Sequence, residues 1–192
     1  MANFYKKSSQ LGRSMIEMLG VLAIIGVLSI GSISGYTKAM EKYKINKLKD
    51  QFITIVTNLT PIMRNEFKGW LVTPAVIDAM HILPDEMGTT ANCRHALGGR
   101  CFVGNGGYRS ITIRFADLPT SACVEMAMLQ TSAIDHVSIN ATNNMTEGNP
   151  GDCDTEDGTQ TCIARNNRTM QDALYECRGK KNTVIFFLWG RR

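Results

Sequence analysis

The sequence lacks the motifs by which most hydrolases and nucleotide-binding enzymes are recognised. It contains no G-x-S-x-G, no H-E-x-x-H and no phosphate-binding P-loop. The histidines His81, His95 and His136 have no spacing that indicates a shared site. The glycine-rich run 104–107 has the composition of a turn. We therefore predict that the chain is not an enzyme and that its histidines have structural positions.

A large excess of charge of one sign is also missing. The chain has 21 Lys and Arg residues against 17 Asp and Glu residues. Non-specific binding to nucleic acid depends on clustered basic side chains. We predict no specific nucleic-acid partner, and we expect the basic residues near the C-terminus to form a solvated rim: Arg178, Lys180, Lys181, Arg191 and Arg192.

Cysteine is absent from the first 92 residues, and all 6 cysteines follow that point. An even number confined to one part of a chain is typical of disulfides formed in an oxidising compartment. Structural zinc is the alternative, but zinc sites favour cysteine pairs separated by about 2–4 residues. The close pairs here are separated by 7 and 8 residues, so we predict three disulfides and no metal site.

Charge is absent from Met18 to Tyr36, which as a helix would be about 28 Å long, close to the thickness of a bilayer core. No signal peptidase site follows this segment, and the sequence continues with helical character. We therefore expect the apolar helix to be retained. Lys6 and Lys7 precede it, so the positive-inside rule places the N-terminus in the cytoplasm and the rest outside.

Beyond Lys38 the helix pattern becomes amphipathic. Apolar residues recur at spacings of three and four, which is typical of a helix with one buried face. Thr60–Pro61 indicates the end of the helix. We expect a sheet to cover the apolar stripe, which consists of Ile45, Leu48, Phe52, Ile55 and Leu59, and the lysines at 42, 44, 47 and 49 to lie on solvated or subunit-facing surfaces.

The remainder predicts short helices and antiparallel strands. Thr73–Pro74 begins a helix that runs to Pro84, residues 100–116 form a hairpin, and residues 118–130 form an amphipathic helix. A strand follows at His136–Asn140, a capping box at Thr169 and Asp172 starts another helix, and residues 183–189 form a buried strand. The predicted fold class is α+β, with a long N-terminal helix packed on an antiparallel sheet.

The run LGRSMIEMLGVLAIIGVLSIG, at 11–31, resembles the cleavage and methylation motif of type IV pilins and pseudopilins. The resemblance covers about residues 6–45. It implies that a prepilin peptidase cuts after Gly12, that Arg13 becomes the methylated first residue, and that Glu17 is fifth in the mature chain. Arg13 departs from the apolar residue usual there. The resemblance also implies that Glu17 pairs with the amino terminus of a neighbouring subunit in the filament core; the alternative is a glutamate at the membrane interface that extends to the lipid headgroups.

The resemblance implies three segments. Residues 1–12 are the leader, 13–59 the long helix, and 60–192 the head outside the cytoplasm. Within the helix, 13–37 forms the membrane-spanning and filament-core part, and 38–59 packs on the head. Gly31 and Gly35 have the G-x-x-x-G spacing that permits close helix packing, although they also suit a membrane span as merely small residues.

The helix around Cys123 and the Cys177 segment before the last strand resemble the head of type IVb pilins. Six cysteines allow 15 connectivities, and spacing alone leaves them open. The resemblance implies a disulfide between Cys123 and Cys177. The remaining cysteines are then assigned to two local pairs: Cys93 with Cys101 and Cys153 with Cys162.

We predict a structural pilus subunit, held in the inner membrane with its head in the periplasm and then polymerised into an extracellular filament. Such a filament serves adhesion, aggregation, motility or conjugative contact, and its partners are other copies, the prepilin peptidase and the pilus assembly machinery. The alternative is a type II secretion pseudopilin or a minor pilin that binds a ligand or DNA at the tip.

No cofactor is predicted. Some pseudopilins bind calcium in a C-terminal loop, so calcium at one acidic segment is the alternative, although the register of that segment does not match an EF-hand. Its residues are Asp152, Asp154, Glu156 and Asp157.

Overall fold

A single helix, α1 (Gln10–Arg64), accounts for the first part of the structure. The chain divides into two compact units, Met1–Tyr43 and Lys44–Arg192, and α1 contributes residues to both. In this computed structural model the described residues are 10–64, 72–106, 110–129, 131–140, 161–164 and 169–189.

Helix α1 ends 5 residues later than the predicted boundary at residue 59, and Pro61 lies inside it. Proline lacks the N–H of an intrahelical hydrogen bond and crowds the preceding turn. Met63 is buried in the core and Ile62 packs against it. Burial of these two side chains offsets the cost of proline in the last turn, so the predicted end was wrong by about one turn.

Short helices follow the long one. Helix α2 (Pro74–Ala79) begins as predicted, with Thr73 as N-cap and proline in the first turn. It ends before the predicted stop at Pro84, because His81 has a φ of 49°, in the left-handed region that a right-handed helix cannot include. Two single 3-10 turns come next, Asp85–Met87 and Thr90–Asn92.

The described residues form one antiparallel sheet of 5 strands in the order β1-β2-β5-β3-β4. The predicted hairpin is confirmed, and its strands include Val103 opposite Ile113. The C-terminal strand lies in the centre, between β2 and β3. The strands are β1 (Cys101–Asn105), β2 (Ser110–Leu118), β3 (Ile134–Ile139), β4 (Thr161–Ala164) and β5 (Asn182–Trp189).

The core of the Lys44–Arg192 unit lies between α1 and one face of this sheet. The Phe52 ring on α1 lies with its centroid 4.3 Å from that of Phe186 on β5 and 6.3 Å from that of Phe115 on β2. The predicted apolar stripe is confirmed, since every one of its members is fully buried: Ile45, Leu48, Phe52, Ile55 and Leu59. A helix packed on an antiparallel sheet, with small helices between strands, is an α+β fold.

Two further helices lie beside the sheet. Helix α3 (Thr120–Ala127) follows β2, and α4 (Met170–Glu176) precedes β5. The predicted capping box at the start of α4 is confirmed, because Thr169 and Asp172 each accept the other's backbone N–H. This box closes the first turn of a helix too short to be stable alone.

Candidate assembly surface

The N-terminal part of α1 exposes large apolar side chains around its whole circumference. Their exposed fractions range from 53% at Val21 and Ile25 to 74% at Ile30. A helix that is apolar on every side is stable only in a bilayer or among other helices. The exposed set is Met15, Ile16, Met18, Leu19, Val21, Leu22, Ile24, Ile25, Val27, Leu28, Ile30 and Ile33.

This segment is long enough to cross a membrane. Among the described helices α1 is the one whose length and composition suit a span. The uncharged stretch Met18–Tyr36 would extend about 28 Å, close to the roughly 30 Å of hydrocarbon in a bilayer. The same length and composition also suit a signal sequence near the N-terminus.

Three hydroxyl side chains of the segment are hydrogen-bonded within the helix itself. Ser29 donates its hydroxyl to the carbonyl of Ile25 at 2.7 Å, and Ser32 donates to that of Leu28 at 2.8 Å. Thr37 donates to the carbonyl of Ser34 at 2.9 Å. Hydroxyls bonded in this way need no water, so they suit a low-dielectric environment.

Glu17 is the one charged residue between Ser14 and Thr37 in the sequence. It lies near the start of the exposed apolar segment, and its side chain is exposed. A charged side chain at the centre of a membrane-spanning helix costs about 2.5–3.5 kcal/mol. Glu17 lies near the start of the apolar segment and not at its centre, so its cost in a bilayer would be smaller.

Three glycines of α1 face open space. A Cβ added at Gly20, Gly26 or Gly35 would meet no heavy atom within 4 Å. Gly31, the other member of the G-x-x-x-G spacing, belongs to the helical backbone. The predicted processing residues Gly12 and Arg13 also lie in the helical backbone of α1.

The C-terminal half of α1 is held by a polar network that centres on Gln51 and lies in the Lys44–Arg192 unit, here called the head unit. The Gln51 amide donates to Glu86 Oε1 at 2.6 Å, and its carbonyl oxygen accepts the Ala96 N–H at 2.9 Å. Lys47 forms an ion pair with the other oxygen of Glu86. Hydrogen bonds from Lys47 and then from Gln51 hold the pKa of Glu86 below its usual range. The network ties α1 to the turn at Asp85–Met87.

A second ion pair joins α1 to α3. Lys49 donates to Glu125 in a partly buried position. Lys42 and Lys44 are exposed as predicted, and Lys47 keeps 40% of its side chain exposed, but Lys47 and Lys49 are each paired with an acidic residue of the head unit. The helical pattern could not reveal this, because the acidic partners lie 39 and 76 residues further along the chain.

Two of the three predicted disulfides are present among the described residues. Cys123 on α3 is bonded to Cys177 at the end of α4, and Cys93 is bonded to Cys101 at the start of β1. The pair Cys123–Cys177 is fully buried, so it joins the two helices inside the core. The predicted pair of Cys153 with Cys162 lies outside the described side chains.

The three histidines lie in separate parts of the structure. His81 follows α2 and is exposed, His95 is buried in the loop before β1, and His136 lies on β3. Within the described ranges, no three His, Cys, Asp or Glu side chains are grouped so that they could hold a metal ion. The acidic segment 152–157, the alternative calcium site, lies outside those ranges.

Sequence reasoning missed Gln51, Glu86 and His95 as residues that hold the head together. For Gln51 a signal was present, since it lies three residues after Leu48 and thus beside the apolar stripe, where a polar side chain becomes buried and requires partners. Glu86 and His95 carried no such signal, because neither belongs to a periodic segment.

The fold and the exposed segment define a class: an α+β head domain whose helix α1 begins with an apolar segment suited to a membrane anchor or signal sequence. No protein-family model matches the chain, and no curated protein sequence is significantly similar to it.

Proposed function

We propose that this chain is the structural subunit of a type IV pilus, anchored in the inner membrane by α1 and then polymerised through the same segment into an extracellular filament. The observation that carries the proposal is the composition of α1. Its N-terminal part is apolar on all sides with one carboxylate near the start, and its C-terminal part is packed on an antiparallel sheet. An exposed helix that is apolar on all sides requires copies of itself or lipid around it.

Glu17 supports polymerisation over simple anchoring. A membrane anchor gains nothing from a carboxylate in its apolar segment, because the charge costs free energy in lipid. In a filament the amino terminus of a neighbouring subunit, made by cleavage between Gly12 and Arg13, supplies a cation to that carboxylate. The ion pair would then favour one axial register between subunits, since a mismatch leaves both charges unpaired in an apolar core.

The disulfides support the proposed location. The head contains two disulfides among its described residues, and such bonds persist in oxidising compartments such as the periplasm and the cell surface. The head is thus suited to the side of the membrane opposite to the one on which Lys6 and Lys7 are retained.

The test is assembly by Glu17 variants. Glu17→Ala should abolish sheared filaments while the protein still inserts in the membrane, whereas Glu17→Asp should retain part of the filament yield because it keeps the charge. Ser29→Ala is the matched control in the same segment, since it removes a hydroxyl that is bonded only to its own helix. Normal piliation by Glu17→Ala would refute the pairing.

N-terminal sequencing of the sheared filaments tests processing in the same preparation. The expected first residue is a methylated Arg13, and the expected abundance is that of the main subunit. A filament in which this chain is a trace component would favour the alternative, a minor pilin or pseudopilin. A secreted product that begins after Tyr36 would overturn the filament proposal.

A further inference from the structure

The loop between Cys93 and Cys101 carries a buried histidine. The disulfide closes this loop, with the two Cα atoms 5.2 Å apart. Inside it, the His95 N–H donates to the Gly99 carbonyl at 3.1 Å and the Gly98 N–H donates to the His95 carbonyl at 2.7 Å. The ring points inward, and only 3% of His95 is exposed.

The partners of the two ring nitrogens together fit the neutral ring, because one accepts a hydrogen bond and the other donates one. Nε2 lies 2.8 Å from the carbonyl oxygen of Ala116 on β2, and a carbonyl can only accept, so Nε2 carries the proton. Nδ1 accepts the N–H of Leu97 at 3.3 Å, so Nδ1 carries none. The ring edge packs on Phe115 at 5.8 Å between centroids. The site therefore fits one tautomer of an uncharged imidazole.

The ring has little room to adjust. A Cβ on Gly99 would lie 2.4 Å from His95 Nε2 and 2.3 Å from the Ala116 oxygen, so only glycine allows the loop backbone this close. The Ala96 N–H donates to Gln51 on α1, which gives the loop a second attachment that does not titrate. Two backbone hydrogen bonds also hold its ends, from the Arg94 N–H to the Met87 carbonyl at 3.0 Å and from the Ala116 N–H to the Arg100 carbonyl at 2.9 Å. Of these four attachments, only the one through His95 is made by a titratable side chain of the loop.

The charges around the ring come from three elements. The loop itself contributes the exposed Arg94 and Arg100, β2 contributes Asp117, and the turn after α2 contributes Glu86. Glu86 is paired with Lys47 of α1, and Asp117 lies 3.2 Å from Lys181. Phe52 and Gln51, the nearby residues of α1, are uncharged.

Burial is the largest influence on the ring and lowers the pKa of His95 below its usual value, although the Ala116 carbonyl and Asp117 act in the opposite direction. A second proton, on Nδ1, would face the Leu97 N–H and would place a charge against Phe115. When the loop leaves its site, the ring reaches water, so the Nδ1 proton no longer faces the Leu97 N–H and the charge no longer lies against Phe115.

We propose that His95 is an acid-sensitive latch that releases the disulfide-closed loop 93–101 from the head. The opened histidine binds a proton with its ordinary pKa of about 6.5, and the closed one binds it only at lower pH. The equilibrium constant for closure of the loop therefore has its full value above about pH 6.5. It falls by up to about tenfold for each pH unit below that. The Cys93–Cys101 bond keeps the ends together, so opening stays local. This inference does not depend on the proposed function.

The test is amide hydrogen exchange of the full chain in detergent micelles from pH 7.5 to pH 5, corrected for intrinsic exchange rates. Protection of the Ala96 and Leu97 amides should fall about tenfold per unit below pH 6.5, while the amides of β5 keep theirs. In His95→Gln this fall should be absent, because glutamine can donate to the Ala116 carbonyl but does not titrate.

His81→Asn is the matched control. It removes an exposed histidine, and asparagine tolerates the left-handed backbone at that position, so the wild-type pH dependence should remain. Three outcomes would each overturn the latch. Amide protection of the loop could stay unchanged down to pH 5, it could fall equally in His95→Gln, or the protection of the β5 amides could fall together with it. If His95→Gln does not fold, the NMR titration of His95 in the wild-type chain decides: a pKa at or above 6.5, or a proton on Nδ1 at neutral pH, overturns it.

Discussion

Replacing Phe52 with alanine tests whether the sheet holds the C-terminal half of α1. The Phe52 side chain is fully buried. Its ring stacks at a tilt on Phe186 and meets Phe115 edge-on, with centroids 4.3 Å and 6.3 Å away. Both partners belong to strands, so the ring is the main aromatic contact between α1 and the sheet among the described residues.

The expected loss is large. Truncation of a buried phenylalanine costs about 3–5 kcal/mol, and the value is higher where the surroundings cannot collapse into the cavity. Here a rigid helix and a sheet lie on opposite sides of the ring, so we expect the upper part of that range. A loss of about 4–5 kcal/mol, from a total domain stability of about 5–15 kcal/mol, should lower the Tm by about 8–20 °C.

The assay is thermal and urea unfolding of the purified full chain in detergent, followed by near-ultraviolet circular dichroism, which reports aromatic packing. The matched control is Ile53→Ala, one residue further along, whose side chain is 49% exposed and should cost no more than about 0.5 kcal/mol. Equal losses for the two variants, or a loss below about 1 kcal/mol for Phe52→Ala, would show that α1 does not depend on the sheet in this way.

Two further predictions concern stability. Ser138 is buried on β3, and its hydroxyl has no hydrogen-bond partner among the described residues, so Ser138→Ala should leave the urea midpoint unchanged or raise it; a clear decrease would reveal an unrecognised partner. Replacing both cysteines of Cys123–Cys177 with serine should cost about 4 kcal/mol, against about 2.5 kcal/mol for Cys93–Cys101, because the first bond closes the longer loop. Calibrated urea curves that reverse this order would contradict the chain-entropy explanation.

Local patterns in the sequence predicted the helices well. The stripe from Ile45 to Leu59 follows the period of a helix, and each member is buried because its direction is set within one or two turns. The capping box at Thr169 and Asp172 was predictable for the same reason, since its hydrogen bonds span three residues. The pairing of Cys123 with Cys177 was predicted only through the resemblance to type IVb pilins, and the structure confirms the bond.

Non-local pairing was not predictable in the same way. The central position of β5 depends on Ile113 and Phe186 meeting across the sheet although they are far apart in the sequence. Strand β4 was not predicted at all, because four residues carry too short a pattern. The continuation of α1 past Pro61 also depended on distant residues, which bury Met63.

The amino-acid sequence alone determined that the chain has an apolar segment long enough to cross a membrane as a helix, that Glu17 is the one charge between Ser14 and Thr37, and that the cysteines follow this segment. These properties depend only on which residues occur in order along one helix. The tertiary structure decided which polar groups are buried together, and so made Gln51 an attachment for α1 and His95 a neutral residue. Burial and hydrogen-bond partners arise from contacts between distant segments, and no local pattern specifies them.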